Sequence, residues 1–231
     1  MKNMENPAQD RSDDSATRRW PALVICLVAS FMTLFDVSVV TIASPSMEHS
    51  LHMTPAEITW ALAGYALTFG LTLIPAGRLG DEHGRRTLFL IGLALFAVTG
   101  VICGLAPNAV VLIIGRLLRG VSAGILAPQV IALLQQMYPK KTRGRAFGYY
   151  GATTGMSTAL GLLIGGVILQ AFGPAMGWRW IFYLSIPILL VALVIGFKVL
   201  HLRVLRIRSY AVGTAIATAF YTGVTALHPA R

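Results

Sequence analysis

Three charged residues, Asp36, Arg116 and Arg119, lie inside long apolar stretches of the sequence. A carboxylate near the middle of a membrane helix costs roughly 2.5 to 3.5 kcal/mol on insertion scales, so it normally faces water or a partner. Burial opposes its ionisation and a nearby cation favours it, so Asp36 can take up and release a proton. The alternative is a structural role, in which Asp36 accepts hydrogen bonds and so holds the first helix to its neighbours.

The two arginines are three residues apart, so they project from neighbouring parts of one helical face. Arginine keeps its proton in proteins, and each therefore needs a carboxylate, a carbonyl or water. Asp36 is the only acidic residue well inside an apolar stretch, and we expect it to pair with one of the two. Two structural roles are the alternatives to a functional one. Either the ion pair serves packing alone, or one arginine extends to the lipid headgroups.

The composition predicts that membrane helices position these residues. The chain has 231 residues, of which 55% are hydrophobic and 12% charged, whereas a soluble domain is about 25% charged. Cys26 and Cys103 both lie in apolar stretches and offer neither a disulfide framework nor a metal cluster. Since a bilayer span takes about 20 apolar residues, we predict an all-α integral membrane fold. The stretches are 22–44, 58–76, 88–106, 109–137, 147–172 and 180–197, with a weaker seventh at 210–227.

The positions of the basic residues predict the topology. The net charge is +10, and most of the 19 Lys and Arg residues fall in the N-terminal segment or in alternate connections between helices. Basic connections stay on the cytoplasmic side, so we expect a multi-pass protein of the bacterial plasma (inner) membrane with a cytoplasmic N-terminus. The excess positive charge then reports topology, and a nucleic-acid partner is disfavoured.

The same pattern divides the chain into four parts. Residues 1–21 are predicted to form a disordered cytosolic tail, and residues 22–197 a six-helix transmembrane bundle. Residues 198–209 are predicted to form a basic cytosolic linker, and residues 210–231 a seventh hydrophobic segment.

Glycines and charges recur in two further patterns. Between helices 2 and 3, Gly77 and Gly84 permit a tight turn, Asp81 can cap the start of a helix, and Arg85 and Arg86 anchor the connection on the cytoplasmic side. Small residues four apart let helix backbones approach closely. These pairs are Gly100/Gly104, Gly120/Gly124, Gly151/Gly155 and Gly161/Gly165, with Gly166 adjacent to the last.

Residues 77–86 resemble the signature loop of the major facilitator superfamily, which implies that Asp81 serves a conformational latch. Residues 116–124 resemble the membrane-embedded arginine motif of that family, which is linked to proton transfer in its proton-coupled members. Arg119 stands where an uncharged residue is usual.

Residues 161–166 are similar to the antiporter motif of exporters, with Leu162 where proline is usual. Residues 34–45 and 178–187 resemble the drug:proton antiporters with fourteen spans, the EmrB/QacA type. Together these motifs imply the six-helix N-terminal bundle of a major facilitator transporter, followed by a partial seventh helix.

The resemblance implies proton-coupled export of hydrophobic or cationic drugs by alternating access, with Asp36, Arg116 and Arg119 as the proton and substrate site. The implied partners are the lipid bilayer, a drug-like molecule, protons, and a periplasmic adaptor with an outer-membrane channel. Neither a cofactor nor enzymatic chemistry is expected. Since the family has twelve or fourteen helices, we interpret the chain as about half of a carrier, truncated or internally deleted. An inactive or regulatory remnant and an importer of a small nutrient are the alternatives.

Overall fold

The computed structural model describes the backbone of residues 7–227 and the side chains of residues 20–173 and 175–199. The first four helices are α1 (Pro7–Leu51), α2 (Pro55–His83), α3 (Arg85–Gly104) and α4 (Ala109–Met137). The remaining helical segment, Lys140–Leu227, is broken at Gly173. Its two parts of membrane length are α5 (Lys140–Gly173) and α6 (Ala175–Val199).

Six helices in the described part of the chain are long and apolar enough to cross a membrane, with α1 contributing Trp20–Leu51. This confirms the predicted all-α fold. Every backbone polar group inside a bilayer must be satisfied within the segment, so apolar stretches of this length form helices. The predicted boundaries of the tail (1–21), the linker (198–209) and the seventh segment (210–231) lie largely outside the residues whose side chains are described, and they stay predictions.

Two glycines with positive φ end helices. Gly84 (φ 93°) separates α2 from α3, and Gly173 (φ 74°) separates α5 from α6. Residues with a Cβ rarely adopt this conformation, so glycine permits a turn of a single residue at each place. Pro45, in contrast, lies inside α1. A proline removes only one N–H donor, and a membrane helix tolerates that loss.

Side-chain caps begin α2 and α4. Thr54 and Glu57 form a capping box at α2, in which Glu57 Oε2 accepts from Thr54 N at 2.7 Å and Thr54 Oγ1 accepts from Glu57 N at 3.3 Å. Asn108 Oδ1 accepts from Val111 N at 3.0 Å and caps α4. These bonds satisfy donors that a helix start leaves free.

The core lies between α1, α3, α4 and α6 and forms two apolar clusters. One surrounds Phe89 and Phe96 of α3, and the other surrounds Met47, Trp178 and Phe182. α1 packs against α5 and α6, and α4 packs against α2 and α3. Both α1 and α4, which carry the predicted site, are therefore enclosed by neighbouring helices.

Candidate functional site

The structure brings Asp36, Arg116 and Arg119 together in one group, which we call the charge cluster. Arg116 Nη1 lies 2.5 Å from Asp36 Oδ2, and Arg119 Nε lies 2.7 Å from Asp36 Oδ1. The three residues are 3%, 1% and 0% exposed, respectively. The sequence predicted a pair with one arginine, and the structure shows that the single carboxylate binds both.

A second nitrogen of each guanidinium binds a neighbouring helix. Arg116 Nε donates to Ala61 O of α2 at 3.1 Å, and Arg119 Nη1 donates to Phe96 O of α3 at 2.9 Å. Arg116 lies over the ring of Tyr65 at 4.5 Å, and Arg119 over that of Phe96 at 4.0 Å. Such contacts stabilise a cation away from water. The charge cluster thus joins α1, α2, α3 and α4.

The charge cluster carries more positive than negative charge. Two guanidiniums face one carboxylate, and among the described side chains no other carboxylate forms an ion pair with either arginine. Because arginine does not release its proton, the sum is positive whether Asp36 is ionised or protonated. An excess charge in this setting is costly unless a polar group or ligand compensates it.

A cavity of about 290 Å³ lies beside the charge cluster, between α1, α2, α4 and α5. Its wall is largely apolar and includes the side chain of Arg116, whereas Asp36 lies behind the wall. Its other polar or aromatic lining residues are Ser30, Thr33, Thr41, Tyr65, Phe69 and Tyr150. Apolar concave sites with a few polar groups are typical of small-molecule binding.

The predicted latch is built differently from the expected loop. Gly77 and Asp81 belong to the last turns of α2, and Gly84 alone forms the turn. Asp81 does not cap α3, which has no side-chain cap bond at its start. It forms an ion pair with Arg85 across the turn instead. The cap prediction is wrong because α2 continues past Ala76 to His83, and the helix start comes after Asp81.

Gln129 joins α4 to the latch, a contact that was not predicted from the sequence. The residue is fully buried, its Nε2 donates to Ala76 O at 2.8 Å, and Oε1 has no hydrogen-bond partner among the described residues. A Cβ at Gly80 would lie 2.2 Å from that Oε1. The available signal was a glutamine between apolar residues of α4, since a buried amide needs a partner.

The glycines of the antiporter-like motif pack against α1, next to the charge cluster. A Cβ at Gly161 would lie 2.7 Å from Ser38 Cβ, and one at Gly165 would lie 2.8 Å from Ile42 Cγ2. A Cβ at Gly166 would lie 3.9 Å from the nearest atom, Ile42 Cδ1, which is an ordinary van der Waals contact. Two of the three predicted glycines therefore permit the close approach of α5 to α1.

We expect Gly161→Ala to lower the free energy of unfolding by about 1 to 3 kcal/mol, because overpacking displaces α5 from α1. Thermal unfolding followed by circular dichroism in detergent measures the change. Gly166→Ala is the matched control and leaves the midpoint unchanged or higher. Equal midpoints for the two variants would show that the α1–α5 contact does not depend on Gly161.

Residues at the start of α6 hold together the end of the bundle that lies away from the latch. Trp178 Nε1 donates to Ser50 Oγ of α1 at 2.8 Å, and Arg179 Nη1 donates to Gly104 O and Ala106 O at 3.0 and 2.8 Å. Cations at the C-terminal end of a helix bind its free carbonyls. This part of the segment 178–187 therefore has a structural role at the end of α3.

The fold and the charge cluster define a transporter bundle of membrane helices. The chain belongs to the Major Facilitator Superfamily, whose family model matches residues 26–224.

Its relatives include antibiotic resistance and export proteins. The chain is 36% identical over 183 residues to the tetracenomycin C resistance and export protein of Streptomyces glaucescens, covering 79% of this chain and 33% of that protein. It is 38% identical over 177 residues to the puromycin resistance protein of Streptomyces alboniger, covering 76% and 34%, respectively. The chain thus spans about a third of the length of the curated relatives it matches.

The fold is similar to that of solved transporters. The proton:xylose symporter of the same superfamily aligns with a TM-score of 0.71 at 14% identity, covering 80% of this chain and 45% of that chain. At this identity the likeness concerns the fold alone. It confirms that the six helices are arranged as in one half of a major facilitator transporter.

Proposed function

We propose that the chain acts in proton-coupled export of hydrophobic, drug-like molecules, within the fourteen-span EmrB/QacA-type branch of the superfamily. The antibiotic-export relatives support drug export. The largely apolar lining of the cavity supports a hydrophobic substrate. A cationic substrate, which the sequence also predicted, finds no carboxylate among the lining residues.

The observation that carries the proposal is the double role of Arg116. Its guanidinium binds Asp36 at 2.5 Å, and its side chain forms part of the cavity wall. Ionised Asp36 holds Arg116 in place, so the form that binds drug is the deprotonated one. Protonation of Asp36 removes its negative charge, so its two hydrogen bonds to the arginines lose the attraction between opposite charges and weaken. The contact between α1 and α4 then loosens. A proton on Asp36 and a drug in the cavity are therefore bound in turn.

The latch and the orientation complete the proposal. The Asp81–Arg85 ion pair lies at the end of the bundle that the basic residues place in the cytoplasm. Its opening and closing accompany the change between the two access states. Location in the inner membrane, a cytoplasmic N-terminus, and partnership with a periplasmic adaptor and outer-membrane channel belong to the same proposal.

Efflux in a host that lacks its own drug pumps tests the proposal. We expect cells that express the chain to lower the accumulation of the neutral dye Nile red, and collapse of the proton gradient to abolish the effect. Asp36→Asn abolishes it as well. Glu48→Gln, the matched change of an exposed carboxylate on α1, leaves efflux intact. Unchanged efflux in Asp36→Asn would contradict the role of Asp36.

The second candidate is an inactive or regulatory membrane protein. Alternating access needs two bundles around a shared site, and the six spans of the described residues correspond to one such bundle. The same assay separates the candidates. Confirmed membrane insertion without any change in dye accumulation or drug tolerance supports the second and contradicts export by this chain alone.

A further inference from the structure

The charge of the cavity wall indicates which ligands the cavity accepts. We propose that the cavity between α1, α2, α4 and α5 binds aromatic anions, and that Arg116 selects them over organic cations. This inference rests on the proposed function and names its substrate class. The sequence-based expectation of a cationic substrate follows from Asp36 alone, whereas the structure places an arginine on the wall.

The electrostatic argument depends on which charged groups the ligand meets. Arg116 is the charged residue among those that line the cavity, and Asp36 lies behind it with both carboxylate oxygens bound to arginines. The second arginine, Arg119, adds its charge from the next turn of α4. The summed charge is positive in both protonation states of Asp36, so an organic cation is repelled and an anion is attracted.

One nitrogen of the Arg116 guanidinium is available to a ligand. Its Nη1 binds Asp36 and its Nε binds Ala61 O, while Nη2 donates no hydrogen bond within the part of the chain that is described. The planar guanidinium binds carboxylate, phenolate and sulfonate oxygens in a fixed geometry. A ligand anion in the cavity therefore gains one charge-assisted bond without breaking the bond between Arg116 and Asp36.

The rest of the wall suits an aromatic body. The rings of Tyr65 and Phe69 lie nearly parallel, with an interplanar angle of 6° and centroids 6.4 Å apart, and Tyr150 lies on the α5 side. Aromatic groups stack on such rings. A volume of about 290 Å³ is at the lower end for small-molecule sites, which favours a compact ring system.

The hydroxyl groups on α1 add acceptors beside the aromatic wall. Ser30 donates to Cys26 O, and Thr41 donates to Val37 O, so each hydroxyl proton is used within the helix. The hydroxyl oxygens keep lone pairs that accept from a ligand donor. The wall thus offers one cationic donor from α4 and neutral acceptors from α1, a combination that fits acidic aromatic compounds with hydroxyl substituents.

Two probes of the same shape and opposite permanent charge test the proposal. Naphthalene-2-sulfonate and (2-naphthyl)trimethylammonium are titrated at pH 7.5 against the purified full chain in phosphatidylcholine nanodiscs, with naphthalene fluorescence as the readout. We expect the sulfonate to bind at least tenfold more tightly than the ammonium. Arg116→Gln lowers the sulfonate affinity by about tenfold or more, the loss expected for one charge-assisted hydrogen bond.

A second variant leaves the charge cluster intact. Val37 lines the cavity and is 38% exposed, so Val37→Asp adds a carboxylate to the wall without removing a buried partner. We expect it to reverse the preference toward the ammonium probe, whereas the neutral control Val37→Asn keeps the sulfonate preference.

Each outcome decides a separate point. Tighter binding of the ammonium by the native chain, or a sulfonate preference unchanged in both Arg116→Gln and Val37→Asp, overturns the charge selection while drug binding stands. Failure of both probes to bind the native chain overturns the cavity as a site for charged aromatic ligands, while the Nile red assay decides the proposed function separately.

Discussion

Asp36→Asn will unfold at a markedly lower temperature than the native chain, with a loss of about 3 to 5 kcal/mol in the free energy of unfolding. The substitution leaves two guanidiniums, 1% and 0% exposed, without their shared counter-charge. Removing one partner of a buried ion pair costs this much because the remaining charge stays unpaired. Unfolding in detergent, followed by circular dichroism, measures the difference.

The matched comparison for this prediction is Arg119→Gln. It removes an arginine but leaves Asp36 paired with Arg116, so the charge cluster becomes neutral. We therefore expect a clearly smaller loss of stability than in Asp36→Asn, although Arg119 also gives up its bond to Phe96 O. A larger loss in Arg119→Gln would contradict the view that Asp36 neutralises both arginines.

Gly120→Ala will destabilise the bundle and disturb the site, because α2 and α4 touch at this glycine. A Cβ there would lie 2.2 Å from Thr68 Oγ1 and 2.3 Å from the backbone oxygen of Tyr65. The threonine also donates to Leu117 O at 2.8 Å, which fixes it in place. A backbone oxygen cannot move aside, so we expect a loss of at least about 1 to 3 kcal/mol. Binding of naphthalene-2-sulfonate falls too, since Tyr65, whose backbone oxygen meets the added Cβ, lines the cavity.

Gly155→Ala is the control for this second prediction. Nothing lies within 4 Å of a Cβ at Gly155 in α5, and alanine is favoured over glycine inside a helix by about 1 kcal/mol. We expect its unfolding midpoint and probe affinity to stay at or above the native values. If the two glycine variants behaved alike, the close approach of α2 to α4 at Gly120 would not exist in the membrane protein.

The number and type of the helices could be predicted because the bilayer leaves little choice. Apolar stretches of about 20 residues must form helices there, and Asp36 is conspicuous because its charge is costly at that depth. The pairing of Asp36 with the arginines was predictable only in part. Spacing placed Arg116 and Arg119 on one face of α4, but whether one or both reach Asp36 depends on how closely α1 and α4 pack.

The helix ends and the neutral polar contacts could not be predicted in the same way. Nothing in the composition of residues 77–83 separates a helix end from a loop, so Asp81 was assigned to the start of α3 instead of the end of α2. The sequence around Gln129 signals only that a buried amide needs a partner, and it does not indicate which helix supplies that partner. The importance of Gln129 depends on Gly80 of a different helix, and such a contact is defined by tertiary packing.

The most direct test of the account is the proton movement that accompanies drug exit through this chain. Proteoliposomes that contain the full chain are loaded with naphthalene-2-sulfonate and the trapped pH dye pyranine, and are then diluted into probe-free buffer. The account predicts acidification of the lumen as probe leaves and protons enter, with no acidification in Asp36→Asn and normal acidification in Glu48→Gln. Probe exit without acidification, or the same acidification in Asp36→Asn, would contradict proton exchange through Asp36.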